Sequence, residues 1–298
     1  MTPGFHCSSL LFHDPPTLIE KLSQLGFGAV AIRPQRAVWD LRAPWFEGVC
    51  DEIAAAAQQH QVAIVIDLDA PYYDDPERSD PFSLASEDPE ESERARAQLA
   101  DWIGRSADLS PRAITFSTGR VTRGDRSAGM KSSLTRDHAA LDHGGERTLE
   151  QLAEAIGNLS RLAESTGTRL ALRPVAEHAI ATVAHFERFE QWLGTSPPLG
   201  LAADVGEMLL GGEFPIGGRL ARLPHRLTCV YLCEPDPDHG CDQRFGCGDM
   251  DLGRVWDVMT QSGFEGPGIF RACGHSWVGL ELARQAIGLV RTHGGRGG

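Results

Sequence analysis

A parallel α/β barrel, the (β/α)8 TIM barrel, is the architecture this sequence predicts, on two observations. Short β-branched or apolar runs alternate with longer amphipathic runs about eight times from end to end, which is the pattern of strands and crossover helices in a parallel sheet. The length of 298 residues also suits one barrel, which takes ~250 residues with loop insertions on top. The expected layout is a single barrel domain over residues 1–293, followed by a glycine-rich, disordered tail at Gly294–Gly298.

The strand candidates, in order, are Phe5–Ser8, Ala29–Arg33, Val62–Leu68, Ala113–Phe116, Leu170–Arg173, Gly200–Ala203, Thr228–Cys233 and Gly268–Arg271. Helix ends are legible between them. Asp14 opens the first helix with Pro15 and Pro16 in its first turn, and Gly26 ends it. Asp88 is an N-cap, with Pro89 at the first helical position and Glu91 three residues after the cap. A further helix runs from Thr148 to Thr166 and is closed by Gly167. Two long loops follow strands, Asp69–Asp88 and Ser117–Arg147. Segments after strands lie on the C-terminal face of a barrel, where ligands bind. The first loop carries Asp74, Asp75, Glu77 and Asp80, the second Arg120, Arg123, Arg126, Lys131 and Arg136. Their opposite signs suit two solvated loops in contact, or a lid over the mouth.

Composition narrows the function classes. A hydrophobic content of 41% and a charged content of 23% are those of a soluble globular chain. A formal charge of −13 repels a polyanion, so a nucleic-acid partner is not expected. No apolar run reaches the ~20 residues of a membrane span and no signal core follows the N-terminus, so a cytoplasmic protein is expected. The seven cysteines are odd in number and scattered, so most should be reduced. Cys7, Cys50 and Cys229 lie in apolar stretches and fit buried thiols.

Five strand-end segments carry a family resemblance: Leu170-Ala171-Leu172-Arg173-Pro174, Leu201-Ala202-Ala203-Asp204-Val205-Gly206-Glu207, Cys229-Val230-Tyr231-Leu232, Gly246-Cys247-Gly248-Asp249-Met250-Asp251, and Gly263 through Arg271. Together they resemble the successive motifs of the xylose isomerase-like TIM barrels, a family of sugar and sugar-phosphate epimerases, inosose dehydratases and an abasic-site endonuclease. The resemblance implies a Glu, an Asp, a His and a second Glu at four strand ends, holding one divalent metal, with both Glu shuttling the substrate proton in the epimerases. At those positions this chain has Arg173, Asp204, Tyr231 and Arg271. A guanidinium neither ligates a cation nor acts as a base at neutral pH, since its pKa exceeds ~12. The expectation is therefore a barrel with no metal and no other cofactor.

Two arginines at the mouth are consistent with pairing to Asp204, Glu207 and Glu177, or with holding a carboxylate or phosphate ligand. Glu207, Glu177 and Tyr231 are the candidates for acid–base chemistry; Arg173, Asp204, Arg271 and His6 are the candidates for substrate binding. Asp67, Asp69, His178 and Glu234 are further polar groups on the same face. Cys233, His239, Cys241 and Cys247 follow the seventh strand, and Cys273 and His275 the eighth, but their spacing fits none of the short zinc patterns. A thiol beside Arg271 could alternatively be reactive. The expected function is that of a sugar phosphate isomerase- or epimerase-like protein without the family's metal, binding a small polyhydroxylated or anionic metabolite at the mouth. The alternative is a non-catalytic module for a metabolite or a protein. Oligomeric state is left open.

Overall fold

The computed structural model describes residues 1–34, 39–68, 82–120, 145–176, 178–194, 199–236 and 241–294. Eight parallel strands close a barrel: β1 (Thr2–His6), β2 (Ala29–Ile32), β3 (Ala63–Leu68), β4 (Ala113–Phe116), β5 (Leu170–Leu172), β6 (Gly200–Asp204), β7 (Leu227–Leu232) and β8 (Pro267–Phe270). Each pairs with its neighbours in the chain, and β8 closes on β1 with Phe5 opposite Phe270. Helices α1 (Pro15–Leu25), α2 (Phe46–His60), α3 (Pro89–Arg105), α4 (Gly145–Ser165), α5 (Val183–Leu193), α6 (Val205–Leu210), α7 (Ile216–Leu220), α8 (Leu252–Gln261) and α9 (Gly279–Gly294) connect the strands. A two-residue ribbon, Pro235–Asp236 against Cys241–Asp242, stands after β7. No helix among the described residues is long and apolar enough to cross a membrane.

All eight strand expectations fall on barrel strands, with one displaced. The first strand is Thr2–His6 rather than Phe5–Ser8. Pro3 and Gly4 have low strand propensity, yet closure of the barrel between β2 and β8 recruits them. Cys7–Ser9 instead forms a single 3-10 turn, begun by the His6 side chain accepting the Ser8 N–H. The helix signals hold: Asp14 accepts from Thr17 N–H, and Gly26 ends α1 at φ 105°. At α3, Asp88 caps Glu90 N–H. Glu91 does not complete a reciprocal box; it is buried and accepts from Ser86 Oγ at 3.0 Å, while Ser86 Oγ takes the Asp88 N–H. Gly294 is the last residue of α9, and the rest of the expected tail lies outside the described residues.

The barrel interior is narrow and layered. Side chains alternate across each strand, and Ala31, Val65, Ala171, Ala202, Cys229, Tyr231 and Ile269 form an inner cluster, each fully buried. Three alanines stand where barrels usually place bulky branched residues. The space they leave is taken by large side chains from the C-terminal ends of the strands, above all Tyr231 and Arg173. Outside the barrel, Trp39, Phe46 and Trp102 pack between α2 and α3 with ring centroids 5.1 to 6.0 Å apart.

Most of the two charged loops lies outside the described residues, including Asp74, Asp75, Glu77 and Asp80 of the first. Their described ends do meet. Ser83 Oγ donates to Arg120 O at 2.7 Å, and Ala85 N–H donates to Thr118 O at 3.1 Å. Gly119 lies between them at φ 77°, and a Cβ there would fall 2.3 Å from Ser83 Oγ, so only glycine fits.

Candidate functional site

Alternation along the strands sends His6, Asp67, Thr115, Arg173, Asp204, Tyr231 and Arg271 to the same C-terminal layer, where Tyr231 is also part of the inner cluster. All are buried. Tyr231 is the centre. The Arg173 guanidinium carbon lies 5.2 Å from its ring centroid and that of Arg271 lies 5.9 Å away. Cation–π attraction of this kind reaches ~2 kcal/mol when desolvated. Burial and then the charge of Asp67 push the phenol well above its usual range, so Tyr231 stays neutral.

Each arginine meets carboxylates. Arg173 Nη1 lies 3.2 Å from both oxygens of Asp67. Asp67 also accepts from Thr115 Oγ1 at 2.8 Å and pairs with His6 Nε2 at 2.9 Å. Burial alone would raise the Asp67 carboxyl, but Arg173, His6 and Thr115 hold it well below the usual carboxylate range. Arg271 spreads its fork over two acids. Nη1 donates to Asp204 Oδ2 at 2.6 Å, while Nε and Nη2 donate to Asp242 at 3.0 and 3.3 Å. Nη2 also donates to Cys233 Sγ at 3.2 Å. Asp204 is the N-cap of α6 as well as the end of β6: its Oδ1 accepts from Gly206 and Glu207 N–H at 3.0 and 3.2 Å, and from Cys233 Sγ at 3.1 Å.

The pairing differs in part from the expectation. Arg271 does pair with Asp204, but Arg173 pairs with Asp67, and Asp242 from the ribbon joins Arg271. Glu207 turns to the backbone, its Oε2 accepting Ala176 N–H at 3.0 Å. Burial, then the charge of Asp204, push the Glu207 carboxyl up. Glu177, Asp69 and His239 lie outside the described residues. His6 is driven toward its neutral form by burial, against the opposing pull of Asp67. His178 is held neutral, at about 3, by burial and then by Arg173 and Arg120. The thiols are not activated: burial pushes Cys233 well above its usual range and raises Cys273, despite Arg271 beside both. Cys7, pushed up to about 12, and Cys229 are buried as expected, and Cys247 is exposed. Among the described residues, no group of three or more His, Cys, Asp or Glu side chains is placed to hold a metal ion.

Two participants escaped the sequence reading. Thr115 was within reach of it: Ile114 and Phe116 face outward, so alternation turns Thr115 into the barrel, and a hydroxyl there needs a partner. Asp242 carried no such signal, because it sits in an irregular loop whose path brings it back over β8.

A family model described as xylose isomerase-like TIM barrel matches residues 19–293. The chain belongs to the xylose isomerase-like TIM barrel family. Solved structures of this barrel type superpose over nearly the whole chain. A D-psicose 3-epimerase from Clostridium cellulolyticum H10 shares 16% identity at a TM-score of 0.73, covering 98% of this chain and 99% of that one. A 3-keto-D-glucoside 4-epimerase from E. coli shares 15% at 0.71, covering 98% and 99%. An L-ribulose 3-epimerase shares 16% at 0.69, covering 98% and 94%. At such identities the likeness extends to the fold. No curated protein matches the sequence.

Proposed function

We propose that this chain is a sugar isomerase- or epimerase-like protein in which two guanidiniums stand where its family holds a divalent cation, and that its mouth takes a small polyhydroxylated metabolite. The occupancy of Asp204 carries this reading. Its Oδ1 receives three donors, from Gly206, Glu207 and Cys233, already more than the two lone pairs of one oxygen, and its Oδ2 is taken by Arg271 Nη1. A cation beside Asp204 would also face a guanidinium 2.6 Å from Oδ2, with like-charge repulsion and no donor atoms in return. The donor set does not fit a divalent ion.

The same pairing selects among ligands. Arg173 and Arg271 are each engaged by aspartates, so a neutral polyol that exchanges hydroxyl hydrogen bonds suits the mouth better than an anion competing with those carboxylates. His6 is assigned to the ligand's surroundings. Glu207 is the acid–base group of this reading, because burial and then the charge of Asp204 raise its carboxyl. Tyr231 and Glu177 remain candidates beside it. A second reading, a non-catalytic metabolite-binding barrel, is favoured by one observation: both positions of the family's proton-shuttling carboxylates are arginines.

The test is deuterium exchange in heavy water with a chelator present. The purified protein is incubated with ketoses and aldoses, and proton NMR follows the hydrogen next to the carbonyl. Chelator-resistant exchange that is lost in Glu207→Gln is expected. Thermal stabilisation by a sugar without exchange would favour the binding module. Exchange abolished by the chelator would overturn the metal-free reading.

A further inference from the structure

The Asp67 corner of the mouth contains a chain of hydrogen bonds whose direction is determined throughout. Ser8 N–H lies 3.1 Å from His6 Nδ1. A backbone N–H can only donate, so Nδ1 is an acceptor and the ring hydrogen of neutral His6 is on Nε2, 2.9 Å from Asp67 Oδ2. Ser8 Oγ, 2.6 Å from the same Nδ1, shares that single lone pair with its own N–H, and in this tautomer it can only donate to it. Cys273 Sγ in turn donates to Ser8 Oγ at 3.0 Å. Behind the imidazole, Thr115 Oγ1 and Arg173 Nη1 fix the Asp67 carboxylate.

A hydroxyl on the basic nitrogen of an imidazole, whose other nitrogen is oriented by a buried carboxylate, is the arrangement that activates a serine nucleophile. A capping role for His6 accounts for the Ser8 N–H contact. It does not account for the 2.6 Å contact to Ser8 Oγ or for the pair with Asp67. Ser8 follows β1 on the C-terminal face; it is itself buried, 7% exposed, and its outer neighbour Cys273 is half-buried. Burial keeps His6 neutral, with Arg271 and Arg33 acting in the same direction, while Asp67 is the group that favours its protonated form.

We propose that Ser8 is a nucleophile and that Ser8, His6 and Asp67 give this barrel an acyl-transfer activity toward an ester or lactone carbonyl. In the first step Ser8 Oγ bonds to the carbonyl carbon, the carbon–oxygen bond to the leaving alkoxide breaks, and the serine proton passes to His6 Nδ1 and then to the alkoxide. In the second step water attacks the acyl-serine, its proton following the same route, and Ser8 is regenerated. Asp67 stays ionised and acts as a positioning residue. This activity is independent of the isomerisation proposed above.

The experiment uses the full chain and diisopropyl fluorophosphate, whose fluoride leaves when a serine oxygen attacks phosphorus. Intact mass should show one adduct, and peptide mapping should place it on Ser8. Ser8→Ala should abolish it and Ser9→Ala should not. His6→Gln should slow labelling by at least ~100-fold, the low end of general-base catalysis, with thermal melting confirming the fold. No adduct on the wild-type protein, an adduct on Ser9 or Cys273 instead, or an unchanged rate in His6→Gln would each overturn the assignment. If His6→Gln does not fold, the wild-type mapping decides alone.

Discussion

The two arginines of the mouth follow two strands of one barrel and flank the same tyrosine, yet they are held differently. Arg173 is sealed in the interior, its side chain 1% exposed, and pairs with a carboxylate from the barrel wall. Arg271 is 10% exposed and shares its fork between a strand-end acid, Asp204, and an acid from the outer ribbon, Asp242. The Arg173 side is therefore built into the core, whereas the Arg271 side is assembled by a loop that arrives from outside. A buried charge that loses its partner cannot recover by solvation; one near the rim can. The two sides should thus answer differently to the same truncation.

Arg173→Ala should be the most damaging change, about 3–5 kcal/mol, because it strands the ionised Asp67 in the interior. Arg271→Ala should cost less, about 2 kcal/mol, because Asp204 keeps the donors of Gly206, Glu207 and Cys233 and Asp242 keeps the Cys273 N–H. Urea unfolding of both variants checks the order, and equal losses would erase the distinction between sealed and rim-held arginine.

Acid and base branches of stability should also separate the two sides. His178, near Arg173, has a folded pKa of about 3 against 6.5 unfolded, so its contribution is complete above 6.5 and is lost as pH falls toward 3. Glu207, beside Asp204, is raised, so its contribution is complete below ~4.3 and is lost as pH rises through its folded value. His178→Phe should flatten the first slope and Glu207→Gln the second, each by an amount on the order of 1 kcal/mol after allowing for partial exposure. Melting temperature measured across pH reads both. Slopes that persist in the variants would assign the titrations elsewhere. Tyr231→Phe removes one hydrogen bond, from the phenol to Thr115 at 2.8 Å, and should cost about 1 kcal/mol while leaving both ion pairs in place.

Most of the barrel was legible because its signals are local. Asp14 with Pro15, Asp88 with Pro89, and Gly167 each act within a turn, and the apolar strand runs need only their own side chains. The displaced first strand marks the limit: Thr2-Pro3-Gly4 becomes a strand because β8 must close on it, with Thr2 opposite Pro267 at the far end of the chain. The site shows the same division. Strand-end positions could be counted off, so Arg173, Asp204, Tyr231 and Arg271 fell together as expected. Their pairing could not, since Arg173 had aspartates and glutamates of several strands within reach, and the choice of Asp67 depends on side-chain direction inside the closed barrel. Asp242 reaches Arg271 through a ribbon whose two-residue strands have no periodic signature.

The proposed replacement of a cation by guanidinium is tested most directly by crystals grown with excess Mn2+ and measured at an energy where manganese scatters anomalously. The expected map has no anomalous peak at Asp204 and has Arg271 Nη1 in hydrogen-bond contact with its Oδ2. An anomalous peak within coordination distance of Asp204, with Arg271 swung away, would contradict the account.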